Sequence, residues 1–346
     1  MTINRVLFLC HPESDWAEMG MFDGLCRLLG EENVVTYPYK PSYYGLIDTA
    51  YKLPDGTYGV TAPAEQCVPR RQGPWTRGKI LDLIDTFDLI YIASCRAFSL
   101  KAARELWPWI KNKLIAICET EDHEDWNQQL VDEFQPWACF KRCLTDDLKN
   151  KYPYLDPLPM SACLPSYYNQ IDDTQKSLQV FSQLGNTHHI RERLTMRVAR
   201  WLKKAGMEEQ GRIGLIGKSL LGMFENDRYG ESSLSYRDYL QTIAHSLITF
   251  VVRGWGIEPL RAWEATLFQT CIFWIQTPQW IYPYPFPDES VVYLNENLDN
   301  LEDQLAYYIR NPDLAMQKGQ ASKSHLLQYH TSEKRAQYML NIVSEI

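Results

Sequence analysis

The first half of the chain alternates short apolar runs with segments of helical periodicity. The apolar runs predict strands at residues 5–10, 33–36, 88–94, 113–118 and 137–141, and the periodic segments predict helices at 21–29, 79–86, 100–111 and 126–134. Because these strands are apolar on both faces and helices separate them, they indicate a parallel sheet that helices cover on both sides.

The second half of the chain repeats this alternation. Its apolar runs predict strands at residues 177–185, 212–216, 246–252 and 269–275, and its periodic segments predict helices at 188–205, 236–244, 259–268, 298–310, 312–328 and 333–346. Between the two halves, residues 153–169 contain four prolines and show no periodicity, which is typical of an extended linker.

We therefore predict two doubly wound, Rossmann-like α/β domains that face a cleft. The N-terminal domain spans 1–160, a linker spans 161–176, the second domain spans 177–330, and a C-terminal helix at 331–346 packs back on the N-terminal domain. Residues 37–77 are rich in Tyr, Pro and Gly and lack periodicity. A connection of that length is more often functional than idle, so we expect it to shape a binding pocket.

Composition narrows the class of protein. The chain has 346 residues and a formal net charge of −8, which disfavours a nucleic-acid or anionic-membrane surface. The apolar run at residues 6–10 is too short for a signal peptide, and no run approaches the length of a membrane span. Nine scattered cysteines, an odd number, indicate buried free thiols in a reducing compartment. We therefore predict a cytoplasmic protein without an integral membrane segment.

The segment at residues 246–268 combines glycines, cations and a carboxylate. A predicted strand ends in Arg253-Gly254-Trp255-Gly256, and a helix begins near Pro259. Glycines at such a turn let the backbone approach a phosphate, and the N–H groups of the first helical turn favour its negative charge. Arg261 and Glu264 share a face of this helix, where they suit a diphosphate and a ribose. An ordinary surface Arg–Glu pair explains the same spacing.

The C-terminal third of the chain resembles the second domain of GT-B glycosyltransferases, in particular the branch typified by spore-maturation-type, group 1-like proteins. The resemblance rests on the order of separate pieces: YLQTIAHS at 239–246, a glycine turn, R-x-x-E-A at 261–265, YYIRNPD at 307–313, and His330, Thr331 and Arg335 in HTSEKRAQYML at 330–340. The pattern departs from the commoner one at two points: Gly256 stands where a first glutamate is usual, with Glu258 the nearer acid, and Phe268-Gln269 replaces small residues.

This resemblance implies GT-B architecture and a metal-independent transfer of sugar from a nucleotide-sugar donor, UDP- or GDP-linked, with no other cofactor. It implies that the second domain binds the donor and the first domain the acceptor. The donor would be held by Lys218, Arg253, Gly254, Gly256, Arg261 and Glu264, with Glu264 on the ribose. The acceptor is not identified by the sequence, and a modified base stays open as one.

Two turns in the first half are candidates for the catalytic base. Acids and a histidine, including Asp122 and His123, follow the predicted strand at 113–118, where open α/β sheets place ligands. His11 and Asp15, with Glu13 between them, follow the first strand. Each turn has a purely structural explanation, a helix cap or a polar turn that leads into a helix.

Two alternatives to this function remain at the level of sequence. In the first, Glu121, Asp122 and Asp125 bind a divalent ion in a metal-dependent glycosyl or nucleotidyl transferase. In the second, the chain is a binding protein that has the fold without turnover. The sequence does not choose between an inverting and a retaining reaction, and only the inverting one needs a base.

Overall fold

The computed structural model describes residues 1–11, 15–40, 43, 73–163, 171–216, 234, 236–275, 277 and 279–345. Within them the chain divides into two compact units. Unit 1 comprises residues 1–166, 279–283 and 329–346, and unit 2 comprises 167–278 and 284–328. Most of the segment at 37–77 lies outside the described residues, so its predicted role stays a prediction.

The elements follow the predicted alternation closely. The strands are β1 (Val6–Leu9), β2 (Val34–Tyr37), β3 (Leu89–Ile92), β4 (Leu114–Glu119), β5 (Ala138–Lys141), β6 (Leu155–Pro157), β7 (Leu178–Gly185), β8 (Gly211–Ile216), β9 (Ser246–Val251), β10 (Cys271–Ile275) and β11 (Val292–Leu294). The helices are α1 (Trp16–Leu29), α2 (Arg77–Leu83), α3 (Ala97–Ile110), α4 (Gln129–Phe134), α5 (Asp146–Lys151), α6 (His189–Ala205), α7 (Tyr236–Ala244), α8 (Arg261–Thr266), α9 (Leu301–Arg310), α10 (Pro312–Tyr329) and α11 (Ser332–Glu345).

Unit 1 contains a parallel sheet in the order β2-β1-β3-β4-β5-β6. Its strands are buried on both faces: Phe8 belongs to the core under one face, and its neighbours Leu7 and Leu9 belong to the core under the other. This is the arrangement predicted from apolar runs that do not alternate with polar residues.

Unit 2 contains a second parallel sheet, in the order β11-β10-β9-β7-β8. Counted from the first strand of each unit, both sheets have the order 2-1-3-4-5, and unit 1 adds a sixth strand. In this doubly wound order the connections leave in opposite directions from the first and third strands. The carboxyl ends of β1 and β3 in unit 1, and of β7 and β9 in unit 2, therefore flank the crevice in which such sheets bind ligands.

The predicted linker at 153–169 is wrong in part. Residues 155–157 form β6, the edge strand of the first sheet, which pairs only with β5. An edge strand accommodates Pro157, because the missing N–H faces away from the ladder. The proline-rich composition therefore concealed a short strand.

The last helix, α11, packs on α1 within unit 1. The contact is close: a Cβ added to Gly24 of α1 would lie 2.0 Å from the carbonyl oxygen of Ser332. The hydroxyl of Ser332 donates to Asp23 at 2.6 Å. Among the described helices, none has the length and apolar character needed to cross a bilayer.

Candidate functional site

In unit 2, Arg191 joins the two strand ends that flank the crevice. From the first turn of α6, its Nη1 donates to the carbonyl of Gly185 at 2.9 Å, its Nη2 to Val252 at 3.0 Å and its Nε to Arg253 at 2.8 Å. Burial, and then the positive charge of Arg261, lower the pKa of Arg191 to about 10, so it stays charged at neutral pH. Arg191 therefore fixes the spacing of β7 and β9 and adds a positive charge to the crevice.

The glycine turn after β9 is closed by its own hydrogen bond. The N–H of Gly254 donates to the carbonyl of Gly256 at 3.0 Å, so this N–H is not presented to a phosphate as the sequence predicted. Residue 254 is glycine because a Cβ would lie 2.6 Å from Nη2 of Arg191 and 2.9 Å from Oγ1 of Thr187. Trp255, between the two glycines, is 76% exposed, more than any other bulky apolar side chain among the described residues.

The start of α8 also differs from the prediction. The N–H groups of Ala262 and Trp263 donate to the carbonyls of Pro259 and Leu260, at 3.0 and 2.9 Å. These donors of the first turn are therefore already used, and the predicted grip of a helix N-terminus on a phosphate does not apply to them. Glu258 is buried and accepts a hydrogen bond from the indole Nε1 of Trp263 at 2.8 Å.

Arg261 and Glu264 are joined through Tyr239 of α7. The hydroxyl of Tyr239 donates to Oε2 of Glu264 at 3.0 Å and accepts from Nε of Arg261 at 2.9 Å. The guanidinium of Arg261 also lies 5.1 Å from the centre of the Tyr239 ring, and its Nη2 donates to the carbonyl of Gln183. Burial raises the pKa of Tyr239, so its hydroxyl keeps its proton. The structure thus brings Arg261 and Glu264 together as predicted, but through a hydroxyl on another helix.

The surroundings of this crevice are electropositive. Arg253 is half-buried beside it, and Lys218, another predicted donor ligand, lies outside the described residues. Burial and the nearby groups His189, Arg253 and Arg191 lower the pKa of His188 to about 4. A positive environment of this kind favours an anionic ligand.

In unit 1, His11 and Asp15 lie at the carboxyl end of β1 and are both buried. Asp15 caps α1: its Oδ1 accepts from the N–H of Ala17 at 2.8 Å and of Glu18 at 3.0 Å. Its Oδ2 accepts from the hydroxyl of Thr120 at 3.3 Å and pairs with Arg96 at 3.4 Å. Because all of these contacts engage its carboxylate, Asp15 stabilises the helix start, and the expectation that it acts as a base is not supported.

Glu18, on the first turn of α1, is completely buried next to His11. Both of its carboxyl oxygens accept from the backbone N–H of His11, at 3.3 Å for Oε1 and 3.1 Å for Oε2. Nζ of Lys40 lies 3.8 Å from Oε2. Burial raises the pKa of Glu18 to about 8, against the opposing effect of Lys40. The ring of His11 lies 5.3 Å from that of Phe98 at the start of α3.

The acidic turn after β4 does not gather its carboxylates. Glu121 accepts from Nε of Arg96, Asp122 pairs with Arg142, and Asp125 lies 2.6 Å from Nδ1 of His123. No group of three or more His, Cys, Asp or Glu side chains in the described part of the chain is arranged to hold a metal ion. The ligand set suggested for a metal-dependent transferase, Glu121, Asp122 and Asp125, is therefore not assembled, because each carboxylate faces its own basic partner.

Sequence reasoning missed several side chains of these crevices: Glu18, Arg96, Phe98, Gln183 and Tyr239. The first three follow predicted strands, so their position was a usable signal. The roles of Gln183 and Tyr239 depend on contacts across the sheet face, which have no local pattern.

Residues 191–341 match a family model described as glycosyl transferase-like. The matched segment starts at Arg191 and includes the glycine turn, Arg261 and Glu264. Although it spans less than half of the chain, it confirms the predicted class, a glycosyltransferase. No curated protein sequence matches the chain.

Solved structures with little sequence identity share the fold. The Anabaena protein Alr3699/HepE, in complex with UDP and glucose, matches with a TM-score of 0.53 and 9% identity over 100% of both chains. TarM from S. aureus, in complex with Fondaparinux, alpha-GlcNAc-glycerol and UDP, matches with a TM-score of 0.50 and 10% identity over 74% of this chain and 55% of its own. At these identities the likeness establishes the fold alone. It confirms the predicted GT-B type with two Rossmann-like domains.

Proposed function

We propose that this protein transfers a sugar from a UDP-sugar to a hydroxyl acceptor, with fixed cations instead of a metal ion offsetting the charge of the diphosphate. The observation that carries the proposal is the cluster of Arg191, Arg253 and Arg261 at the β7/β9 crevice. Preorganised positive charge of this kind stabilises the leaving diphosphate in the transition state. UDP is favoured over GDP because the structurally similar HepE and TarM were crystallised with UDP.

In this proposal Glu264 accepts hydroxyl groups of the ribose, and Arg261 contacts the diphosphate. Glu264 is buried and held by Tyr239, which suits a carboxylate that must keep one orientation. Lys218 stays a predicted donor ligand. Our assignment to the spore-maturation-type branch also stays a proposal. Its support is the R-x-x-E-A pattern of Arg261, Glu264 and Ala265.

For an inverting reaction, we propose His11 as the base that takes the acceptor proton. It is buried at the β1/β3 crevice of unit 1, with its ring 5.3 Å from that of Phe98 at the start of α3. Imidazole ordinarily titrates near neutral pH, which suits proton transfer. Replacing His11 by Ala is expected to lower transfer roughly 100-fold while donor affinity stays unchanged. If the reaction is retaining, the same substitution should leave the rate of transfer nearly unchanged.

A cytoplasmic location and the absence of a nucleic-acid partner remain proposals. The described cysteines carry free thiols, seven of them buried, which fits a reducing compartment. The net charge of −8 is the support for excluding nucleic acid.

The test is a binding and turnover screen with UDP-, GDP-, ADP- and dTDP-sugars. We expect one UDP-sugar to raise the melting temperature of the protein and to be hydrolysed or transferred at the same rate with and without EDTA. Arg261→Ala should abolish the shift, whereas Arg197→Ala, which removes an arginine of α6 that pairs with Glu302 of α9, should keep it. Loss of turnover in EDTA would contradict the metal-independent mechanism. Binding without turnover would favour the non-catalytic alternative.

A further inference from the structure

Gln183 lies on β7, two residues before the strand ends at the crevice. Successive side chains of a strand point to opposite faces. Val180 and Leu184 belong to the core on one face, and the ring of Phe181 contacts Tyr239 and Arg261 on the other. Gln183 therefore shares the face of Phe181, next to Arg261, and only 4% of its surface is exposed.

Two donors at this position lack an acceptor. Nε2 of Gln183 and Nη1 of Arg261 are both buried, and neither has a hydrogen-bond partner among the described residues. Buried polar groups in folded proteins are almost always paired, because an unpaired one loses its bonds to water without replacement. Two such donors on neighbouring residues indicate a site that a ligand completes.

The orientation of Arg261 is fixed by its other nitrogens. Nε donates to the hydroxyl of Tyr239, and Nη2 donates to the backbone carbonyl of Gln183. With these two bonds in place the guanidinium plane cannot turn, and Nη1 is the nitrogen left to bind a ligand. The same contact places Arg261 directly against Gln183.

The arginines at this crevice favour a negatively charged acceptor. The strongest charge effect on Arg191 at this crevice comes from another cation, Arg261. The backbone N–H of Gly254 is used within its own turn, so this N–H is not a donor to the acceptor. A phosphate oxygen fits both the positive charge and the pair of donors.

We infer that the side-chain amide of Gln183 and Nη1 of Arg261 together form a phosphate subsite, which binds an oxygen of the diphosphate in a nucleoside diphosphate. Nothing in the sequence marks Gln183 for this role. The inference rests on the proposed function, since it assigns a further ligand to the donor that unit 2 binds.

The test compares UDP, GDP and uridine as ligands in calorimetric titrations of the full chain. In Gln183→Leu, we expect affinity for the diphosphate to fall roughly 10-fold, while affinity for uridine stays within about twofold, since uridine has no phosphate. In Gln183→Glu, the new carboxylate pairs with Nη1 of Arg261 and repels phosphate. Diphosphate affinity should then fall roughly 100-fold, although the melting temperature of the ligand-free protein is maintained or raised.

Gln179→Leu is the matched control for Gln183→Leu, because Gln179 lies on the same strand and face, about 13 Å further from the crevice. It should bind UDP as the unmodified protein does. Diphosphate affinity unchanged in both Gln183 variants, or equal losses for UDP and uridine, would overturn the subsite. If the unmodified chain binds neither UDP nor GDP, the proposed function itself fails, which is a different result.

Discussion

Glu18 shows at the level of one residue how burial sets the charge state near the unit 1 crevice. Its pKa is raised from 4.5 to about 8 by burial, with Lys40 opposing and Asp15 reinforcing the effect. Between these pH values the unfolded chain has lost a proton that the folded protein still holds. The free energy of unfolding therefore falls as the pH rises through this window, by an amount on the order of a few kcal/mol.

We predict that Glu18→Gln removes this pH dependence. The amide cannot ionise, so the variant should gain stability relative to the unmodified protein as the pH rises from 5 to 8, measured by urea denaturation at several pH values. Glu345→Gln, at an exposed position on α11, should show no such trend. A constant difference between Glu18→Gln and the unmodified protein would contradict the buried protonated carboxyl.

Tyr239 is the second residue for which a substitution should have a measurable effect, here on both the free energy of unfolding and UDP binding. Tyr239→Phe deletes the hydroxyl that holds Arg261 and Glu264, and it leaves a buried carboxylate with one partner fewer. We expect a loss of about 1–3 kcal/mol in the free energy of unfolding and weaker UDP binding. Tyr307→Phe, with a half-exposed ring on α9, should change neither quantity. Unchanged UDP affinity in Tyr239→Phe would contradict its role in the site.

At the level of elements, the turn at 254–256 packs directly against helix α6. The side chain of Arg191 on α6 leaves room only for a glycine at position 254. We predict that Gly254→Ala destabilises the protein by about 1–3 kcal/mol, since its Cβ would lie 2.6 Å from Nη2 of Arg191. Gly185→Ala is the control: it ends β7 in the same crevice, but its Cβ would have no neighbour closer than 3.8 Å. Urea denaturation compares the two, and equal losses would contradict the steric explanation.

At the level of the whole molecule, the two ends of the chain build one core. Met339 of α11 is fully buried in the same cluster as Val6 and Phe22 from the N-terminal end. We predict that Met339→Ala lowers the free energy of unfolding by about 2–5 kcal/mol and reduces the protection of α1 amides from hydrogen exchange. Asn341→Ala, at an exposed position on the same helix, should stay within about 0.5 kcal/mol of the unmodified protein. Unchanged α1 protection in Met339→Ala would contradict this packing.

The sequence by itself determined the elements and the kind of sheet. Apolar runs without alternation can be buried only between two layers of helices, so the pattern was enough to predict two parallel α/β units. The cluster of glycines, Arg261 and Glu264 was also visible, since it is local along the chain. The resemblance to GT-B glycosyltransferases rested on the order of such local pieces.

Only the tertiary structure decided which of these groups already have hydrogen-bond or ion-pair partners within the protein. Asp15 is occupied by Arg96 and Thr120, and Arg261 is held by Tyr239 and Gln183, all distant along the chain. The N–H of Gly254 donates to Gly256 within its own turn, and Arg191 holds the residue before that turn through the carbonyl of Arg253. A site residue is defined by the donors and acceptors it has left over, and those depend on partners that folding brings from elsewhere in the chain.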